Sequence, residues 1–296
     1  MPTIDPATLP DGVTPADGQG GLPVLRVDTP SARGEVYLLG ATVTDWTPAG
    51  ADPVIWVSSR ARFEAGTAIR GGIPLCAPWF GPGRRKNKTP AHGWFRTAEW
   101  TFAGGESGPD GVTLRFTLVG AGADVPDGEP TDVRGEYAVT FGATLTTALT
   151  VTAGADGLDL EDAMHTYLAI SDAESIRIDG LDGTRYADKA PGGRAINAQS
   201  GDLTLTRETD RVYQHTGPVT LVDEGKNRRL TLTREGSASV VIWNPWQAKA
   251  ASLSDFGDDE WHGMVCIETA NALAGHVELA AGESHTSTAT WSLESA

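Results

Sequence analysis

The chain has 296 residues, with 23 Lys and Arg against 39 Asp and Glu, and so a formal charge of −16. A balance this acidic argues against nucleic acid or an anionic membrane as a partner, because the summed field repels phosphate. With 40% hydrophobic and 21% charged residues the chain can bury a real core, which argues against wholesale disorder.

Residues 1–22 read as an irregular arm, with Asp5, Asp11 and Asp17 and no basic residue before Arg26. They hold no continuous apolar stretch, so a secretory signal is not supported. From residue 23 onward the dominant period is two. Val112, Leu114, Phe116 and Leu118 alternate with Thr113, Arg115 and Thr117, which puts one apolar face on a strand. Residues 121–136 read as a long surface loop. The uncharged run that follows, residues 137–155, carries six threonines from Thr140 to Thr152, and a bilayer span needs about 20 mostly apolar residues.

Leu203-Thr204-Leu205, Leu230-Thr231-Leu232 and Thr288-Ala289-Thr290-Trp291 predict further strands. Ser239-Val240-Val241-Ile242-Trp243 is apolar throughout, as for a strand buried on both faces. Turn signals separate these runs at Pro109-Asp110-Gly111, Gly120-Ala121-Gly122, Pro191-Gly192-Gly193 and Glu224-Gly225-Lys226-Asn227. No segment keeps helical periodicity for three turns. The pattern predicts an all-β sandwich or barrel of mostly antiparallel strands, one domain over residues 23–296. The hexapeptide Leu-Thr-Leu-Thr-Arg-Glu occurs at 203–208 and 230–235, and predicts two similar strands rather than a repeat architecture. Cys76 and Cys266, 190 positions apart, form no metal or redox motif and read as buried thiols of a cytoplasmic protein.

Two segments concentrate residues that strands do not need. The first runs from Ile69-Arg70-Gly71-Gly72-Ile73-Pro74 through Trp79-Phe80-Gly81-Pro82-Gly83 and the basic cluster Arg84, Arg85, Lys86 and Lys88, to His92-Gly93-Trp94-Phe95-Arg96. Glycines allow close backbone approach to a ligand. Aromatic rings interleaved with Arg and His suit a sugar, the rings covering its C–H face and the donors its hydroxyls. The second holds Trp243-Asn244-Pro245-Trp246, Asp255-Phe256-Gly257-Asp258-Asp259-Glu260 and Val265-Cys266-Ile267-Glu268. Glu268 ends an apolar run, where a carboxylate is costly unless paired or working. His165, in Met164-His165-Thr166-Tyr167, has apolar neighbours too.

These elements, in this order over residues 69–271, resemble the D-hexose-6-phosphate mutarotases, the sugar-phosphate branch of the aldose 1-epimerase family. The resemblance implies a galactose-mutarotase-like β-supersandwich and a cofactor-independent isomerase that interconverts α and β anomers, with no metal. It implies Glu268 as base and His165 as acid on either side of the C1–O5 unit. It further implies His92 and Asp210 on sugar oxygens, and Arg70 and Arg96 on phosphate. The cluster Arg84, Arg85, Lys86 and Lys88 is a candidate phosphate-attracting rim, its alternative being a solvated charge run. His215, His262, His276 and His285 fall outside the matching positions and read as surface or structural. Two other functions stay open: an aldose 1-epimerase of unphosphorylated sugars, and a non-catalytic sugar-phosphate-binding regulatory module. The expected state is a monomer or weak homodimer. One departure stands out: Glu268-Thr269-Ala270-Asn271 replaces the family's Glu-Pro-Gly-Asn, which predicts an altered presentation of Glu268. Residues 70–96 carry six cations and no acid, so the remaining chain carries −22 and the acidic total does not exclude an anionic substrate.

Overall fold

Alternation decides the architecture. In strand Gly111–Val119 the four apolar side chains Val112, Leu114, Phe116 and Leu118 are buried, while Arg115 stands in solvent. Threonine and valine dominate such strands because β-branched side chains fit a pleated surface. The protein, seen in a computed structural model, is described here for residue 4 and residues 8–120 and 125–295.

Two eight-stranded antiparallel sheets make up most of it. One runs in the order Arg177–Asp179, Val219–Asp223, Arg228–Glu235, Ser284–Ser295, Thr144–Thr152, Arg134–Phe141, Gly111–Val119, Thr101–Gly108. The other runs Asn197–Ala198, Arg185–Asp188, Thr209–Gln214, Ser239–Asn244, Met264–Asn271, Asp162–Met164, Leu75–Cys76, with Tyr167–Ala169 also on Met264–Asn271. A four-stranded sheet, Val13–Asp17 through Val43–Pro48, and the antiparallel pair Leu158–Leu160 with Val277–Leu279 complete the sandwich. The predicted all-β, mostly antiparallel fold is therefore the one adopted. One core cluster joins the layers, with Trp46, Trp100, Trp291, Phe116 and Phe141 fully buried. The Trp46 indole donates to the Gly142 carbonyl at 3.0 Å and fastens the four-stranded sheet to the first large one.

Three local expectations need correction. Residues 13–17 are a strand, not part of an irregular arm; Pro15 is tolerated because Val13–Asp17 lies at the edge of its sheet. Residues 1–3 and 5–7 of that arm lie outside the described residues. Of the loop expected over 121–136, residues 121–124 are also outside them, and 134–136 already belong to strand Arg134–Phe141. Leu203 forms a single bridge to Ile178, not a strand, although its duplicate at 230–235 lies in Arg228–Glu235. The second copy has a partner strand on each side and the first caps a sheet edge, so context overrides identical local sequence. Among the described residues no helix is long and apolar enough to cross a membrane. The α-helix Trp246–Ser252 has two turns, in keeping with the absence of long helical periodicity.

Gly34 marks a close approach of the small sheet to the large one: a Cβ there would lie 2.4 Å from the Phe141 ring. Gly34→Ala is expected to cost about 1–3 kcal/mol through overpacking, read as a lower urea midpoint. Combined with Phe141→Leu, the loss should fall short of the sum of the two single losses. An unchanged midpoint for Gly34→Ala would contradict this packing.

Candidate active site

Strand register builds the site. Val241 pairs with Glu268, and Trp243 pairs with Cys266 on one side and Asp210 on the other. Directly paired residues share a face, so Asp210, Trp243, Val241 and Glu268 project to the same side of the sheet. On the opposite flank of Met264–Asn271, Asp162 pairs with Asn271 and Met164 with Thr269. One further step of that register sets His165 against Glu268. The two meet there, Nε2 to Oε1 at 3.4 Å, and the His165 backbone N–H is held by the Pro74 carbonyl at 3.0 Å.

Glu268 is 1% exposed and His165 8%. Burial pushes the Glu268 carboxyl well above the ordinary carboxylate range, and Asp210 pushes the same way, against Lys189 and Arg96. Burial pulls the His165 imidazole well below its usual value, with Arg96 and Arg70 adding to the shift. The pair therefore resists both losing its last proton and gaining a second. A neutral carboxyl beside a neutral imidazole and a carboxylate beside an imidazolium differ only in where one titratable proton sits. Either tautomer supplies one acid and one base to adjacent oxygens. Glu268 Oε2 and His165 Nδ1 have no hydrogen-bond partner among the described residues. The His165 ring stacks on Tyr167 (4.8 Å between centroids, 13° between planes), which fixes its orientation.

The cleft above this pair holds about 560 Å³, within the range of small-molecule sites. Its lining includes Arg70, His92, Arg96, His165, Asp210 and Glu268, so the sequence candidates for acid, base, sugar and phosphate converge in one place. His92 accepts from the Gly81 N–H at Nδ1 (3.3 Å), which leaves Nε2 as the protonated nitrogen, and burial holds the ring neutral. It is a hydrogen-bond donor with a fixed tautomer. Gly93 makes this turn feasible: its φ is +69°, and a Cβ would lie 2.0 Å from the Ala77 carbonyl oxygen. Arg70 donates to the Tyr167 hydroxyl (3.1 Å) and to Asp255 (3.2 Å), which holds the guanidinium rigidly. Arg96 donates to the Ala91 carbonyl (2.7 Å), and no carboxylate lies within ion-pairing distance of it among the described residues. The Asp210 carboxyl, raised by burial, lies 3.6 Å from Lys189 Nζ, and Lys189 also covers the Phe80 ring.

The basic loop lies elsewhere. Arg84, Arg85 and Lys88 line a neighbouring cavity of about 300 Å³ with Glu129, Asp159 and Glu161, outside the cleft. Arg84 is paired with Asp159 (2.7 Å) and Lys88 with Glu129 (2.6 Å). Of the six cations within 70–96, only Arg70 and Arg96 line the cleft, so the positive window does not act as one patch. The cleft instead takes Lys189 and Lys249, together with Glu208, from distant segments. Lys189 follows strand Arg185–Asp188 and precedes the Pro191-Gly192-Gly193 turn; that turn was the available signal. Lys249 is carried by the short helix Trp246–Ser252, which period-two reasoning passes over. The replacement of Pro-Gly by Thr269-Ala270 also has a structural reading. Both residues are buried ladder members, paired with Met164 and Ala163 on one side and Val240 and Ser239 on the other. Proline could not donate in that ladder, so here the strand runs unbroken past Glu268 to Asn271.

One ligand atom each from His165, Cys266 and Glu268 lies within 4.8 Å of the other two, as do those of Asp172, Glu174 and His262 at the surface. His262 sits beside Asp172 at 3.3 Å, and His276 near Asp159 and Glu278, outside the cleft.

The aldose 1-epimerase family model matches residues 23–292. A protein of Escherichia coli strain K12 described as "Putative glucose-6-phosphate 1-epimerase" is 33% identical over 255 residues, 85% of this chain and 84% of that one. A protein of Salmonella typhimurium strain LT2 with the same description is 31% identical over 86% of this chain and 84% of its own. The crystal structure of a "putative mutarotase" from Salmonella typhimurium superposes with a TM-score of 0.87 at 26% identity, covering 96% of this chain and 94% of that one. With the family match spanning nearly the whole sandwich, and with the cleft around His165 and Glu268 formed from the segments that carry the resemblance, this chain belongs to the aldose 1-epimerase family.

Proposed function

We propose that the protein is a hexose-6-phosphate mutarotase, a glucose-6-phosphate 1-epimerase acting without a cofactor in the cytoplasm. The observation that carries this reading is the buried His165–Glu268 pair, with Nε2 and Oε1 3.4 Å apart, at the base of a cleft rimmed by Arg70, Arg96, Lys189 and Lys249. Mutarotation moves one proton from the C1 hydroxyl to the ring oxygen and back, so it needs an acid and a base and no electron acceptor. In the imidazolium tautomer, the Glu268 carboxylate takes the O1 proton while His165 gives its proton to O5. The C1–O5 bond breaks and the open-chain aldehyde forms. Rotation about C1–C2 presents the other carbonyl face. O5 then attacks C1, His165 recovers the O5 proton, and Glu268 returns a proton to O1. The two oxygens share one carbon, which suits a pair this close better than groups placed on opposite sides of the sugar.

His92 Nε2–H donates to a sugar oxygen, and Asp210 accepts from a hydroxyl. Arg96 supplies the principal phosphate fork because no carboxylate competes for it. Arg70, held by Tyr167 and Asp255, adds fixed charge beside it. In the basic loop, Arg85 and Lys86 are the cations without a salt bridge among the described residues, and they attract phosphate from outside the cleft. The relatives described as glucose-6-phosphate 1-epimerases support this substrate class, and the two free, buried thiols suit a reducing compartment.

Saturation-transfer NMR between the anomers of glucose 6-phosphate tests the proposal. Wild type should accelerate exchange and favour glucose 6-phosphate over glucose by at least about 100-fold in kcat/KM. No acceleration above the buffer rate would refute it. Glu268→Gln and His165→Asn should each lower kcat by about 10²–10⁴-fold with little change in KM. Arg96→Met should raise KM for glucose 6-phosphate by about 10–100-fold and leave turnover of free glucose unaltered.

The pH profile of kcat/KM should be bell-shaped. The acid limb reports a second proton on the pair; burial of the imidazole places it well below the ordinary histidine range. The alkaline limb reports loss of the last proton, and burial of the carboxyl places it well above the ordinary carboxylate range. A single limb near the ordinary histidine value would show that the two groups titrate independently.

A further inference from the structure

We infer that His165, Cys266 and Glu268 together form a binding site for a thiophilic divalent cation, Zn²⁺ being the type, whose occupancy blocks the cleft in competition with the sugar. The inhibition rests on the function proposed above; the binding does not.

Cys266 and Glu268 are two residues apart on strand Met264–Asn271 and so project to the same face. His165 meets them from the neighbouring segment. A ring nitrogen, the thiol sulfur and a carboxylate oxygen all lie within 4.8 Å of one another. Bonds of about 2.0–2.3 Å in a tetrahedral zinc site put ligand atoms about 3.3–3.8 Å apart. The His165–Glu268 contact, at 3.4 Å, already has that spacing. Sulfur closes the remainder with a shift of about 1 Å, within reach of a side-chain rotation. Ligation through Nε2 and Oε1 replaces the contact between these two atoms and leaves Glu268 Oε2 and His165 Nδ1, which have no hydrogen-bond partners among the described residues, undisturbed.

Donor chemistry selects the ion. One imidazole, one thiolate and one carboxylate suit a borderline-soft cation, and disfavour Mg²⁺ and Ca²⁺, which require oxygen shells. Three protein ligands leave a fourth position for water, which projects into the space that the sugar would occupy. Charge balances as well. The cation enters with two positive charges, and two protons leave to solvent: the Cys266 thiol proton and the one shared by His165 and Glu268. The centre stays neutral, so the cleft cations Arg70, Arg96 and Lys189 do not expel the ion. The surface group Asp172, Glu174 and His262 lacks sulfur and provides the internal control.

The test is titration of the full chain, free of any histidine tag, with Co²⁺. The expected result is one equivalent bound, with a thiolate-to-cobalt charge-transfer band in the near ultraviolet that Zn²⁺ abolishes. Cys266→Ser should remove the band, whereas Cys76→Ser and His262→Ala should keep it. In the exchange assay Zn²⁺ should raise the apparent KM for glucose 6-phosphate and leave kcat unchanged. Half-inhibition of Cys266→Ser should need at least about 100-fold more Zn²⁺ than wild type. Absence of the band in wild type, its survival in Cys266→Ser, or loss of the bound equivalent in His262→Ala would each overturn the site. A band from a protein that does not accelerate anomer exchange would uphold the metal site and refute the mutarotase.

Discussion

A carboxyl group held at 1% exposure in the middle of a β-sheet is the constraint around which this molecule is arranged. An isolated buried carboxylate is too costly to persist ionised, so the group must share charge or carry a proton. His165 gives it a partner that gains what it loses. Both groups are driven toward their neutral forms by the same burial, and one proton serves them both. Water exclusion, which makes the pair expensive, also makes each proton transfer within it responsive to a bound sugar.

The pair depends on register, and register here has its own fastener. Asp162 and Asn271 face each other across the two strands that deliver His165 and Glu268. The Asn271 side-chain amide donates to Asp162 Oδ1 at 2.8 Å, Ser287 Oγ donates to Oδ2 at 2.8 Å, and the Ala238 N–H donates to Asn271 Oδ1 at 3.0 Å. A slip of one residue would turn Glu268 to the opposite face, so this buried polar cluster does for the site what hydrophobic alternation does for the large sheets. It also accounts for the sequence Glu268-Thr269-Ala270-Asn271. The Thr269 and Ala270 backbones stay in the ladder, and the asparagine remains at the position where it can reach Asp162.

Much of this was legible in the sequence because period-two alternation and a short menu of turns are strong local signals. The apolar face of residues 112–118 and the doubly buried run at 239–243 follow from pattern alone. Glu268 and His165 stood out because a charge at the end of an apolar run is expensive. What local sequence could not carry is identity decided by neighbours. Leu-Thr-Leu-Thr-Arg-Glu is a central strand at 230–235 and an edge bridge followed by a turn at 203–208. Val13–Asp17 forms despite Pro15 because only one side of it needs a partner. Lys189 and Lys249 reach the cleft from a turn and a two-turn helix, segments with no periodic signal. The dense cluster at 84–88 drew attention by charge, yet two of its cations are paired with Asp159 and Glu129 in a separate cavity. The acidic total of the chain therefore reaches even into its most basic stretch, and the field at the cleft is set by a few cations from separate elements.

Burial drives the Glu268 carboxyl upward and the His165 imidazole downward, so the two groups hold one titratable proton between them. NMR titration of the full chain, following the Glu268 carboxyl carbon and both His165 ring nitrogens, measures this directly. Beyond the N–H that a neutral imidazole keeps, the summed proton count of the two groups should stay at one, with steps only below the ordinary histidine range and well above the ordinary carboxylate range. A carboxylate ionised from the ordinary range upward beside an imidazole that becomes neutral near its usual value would contradict it.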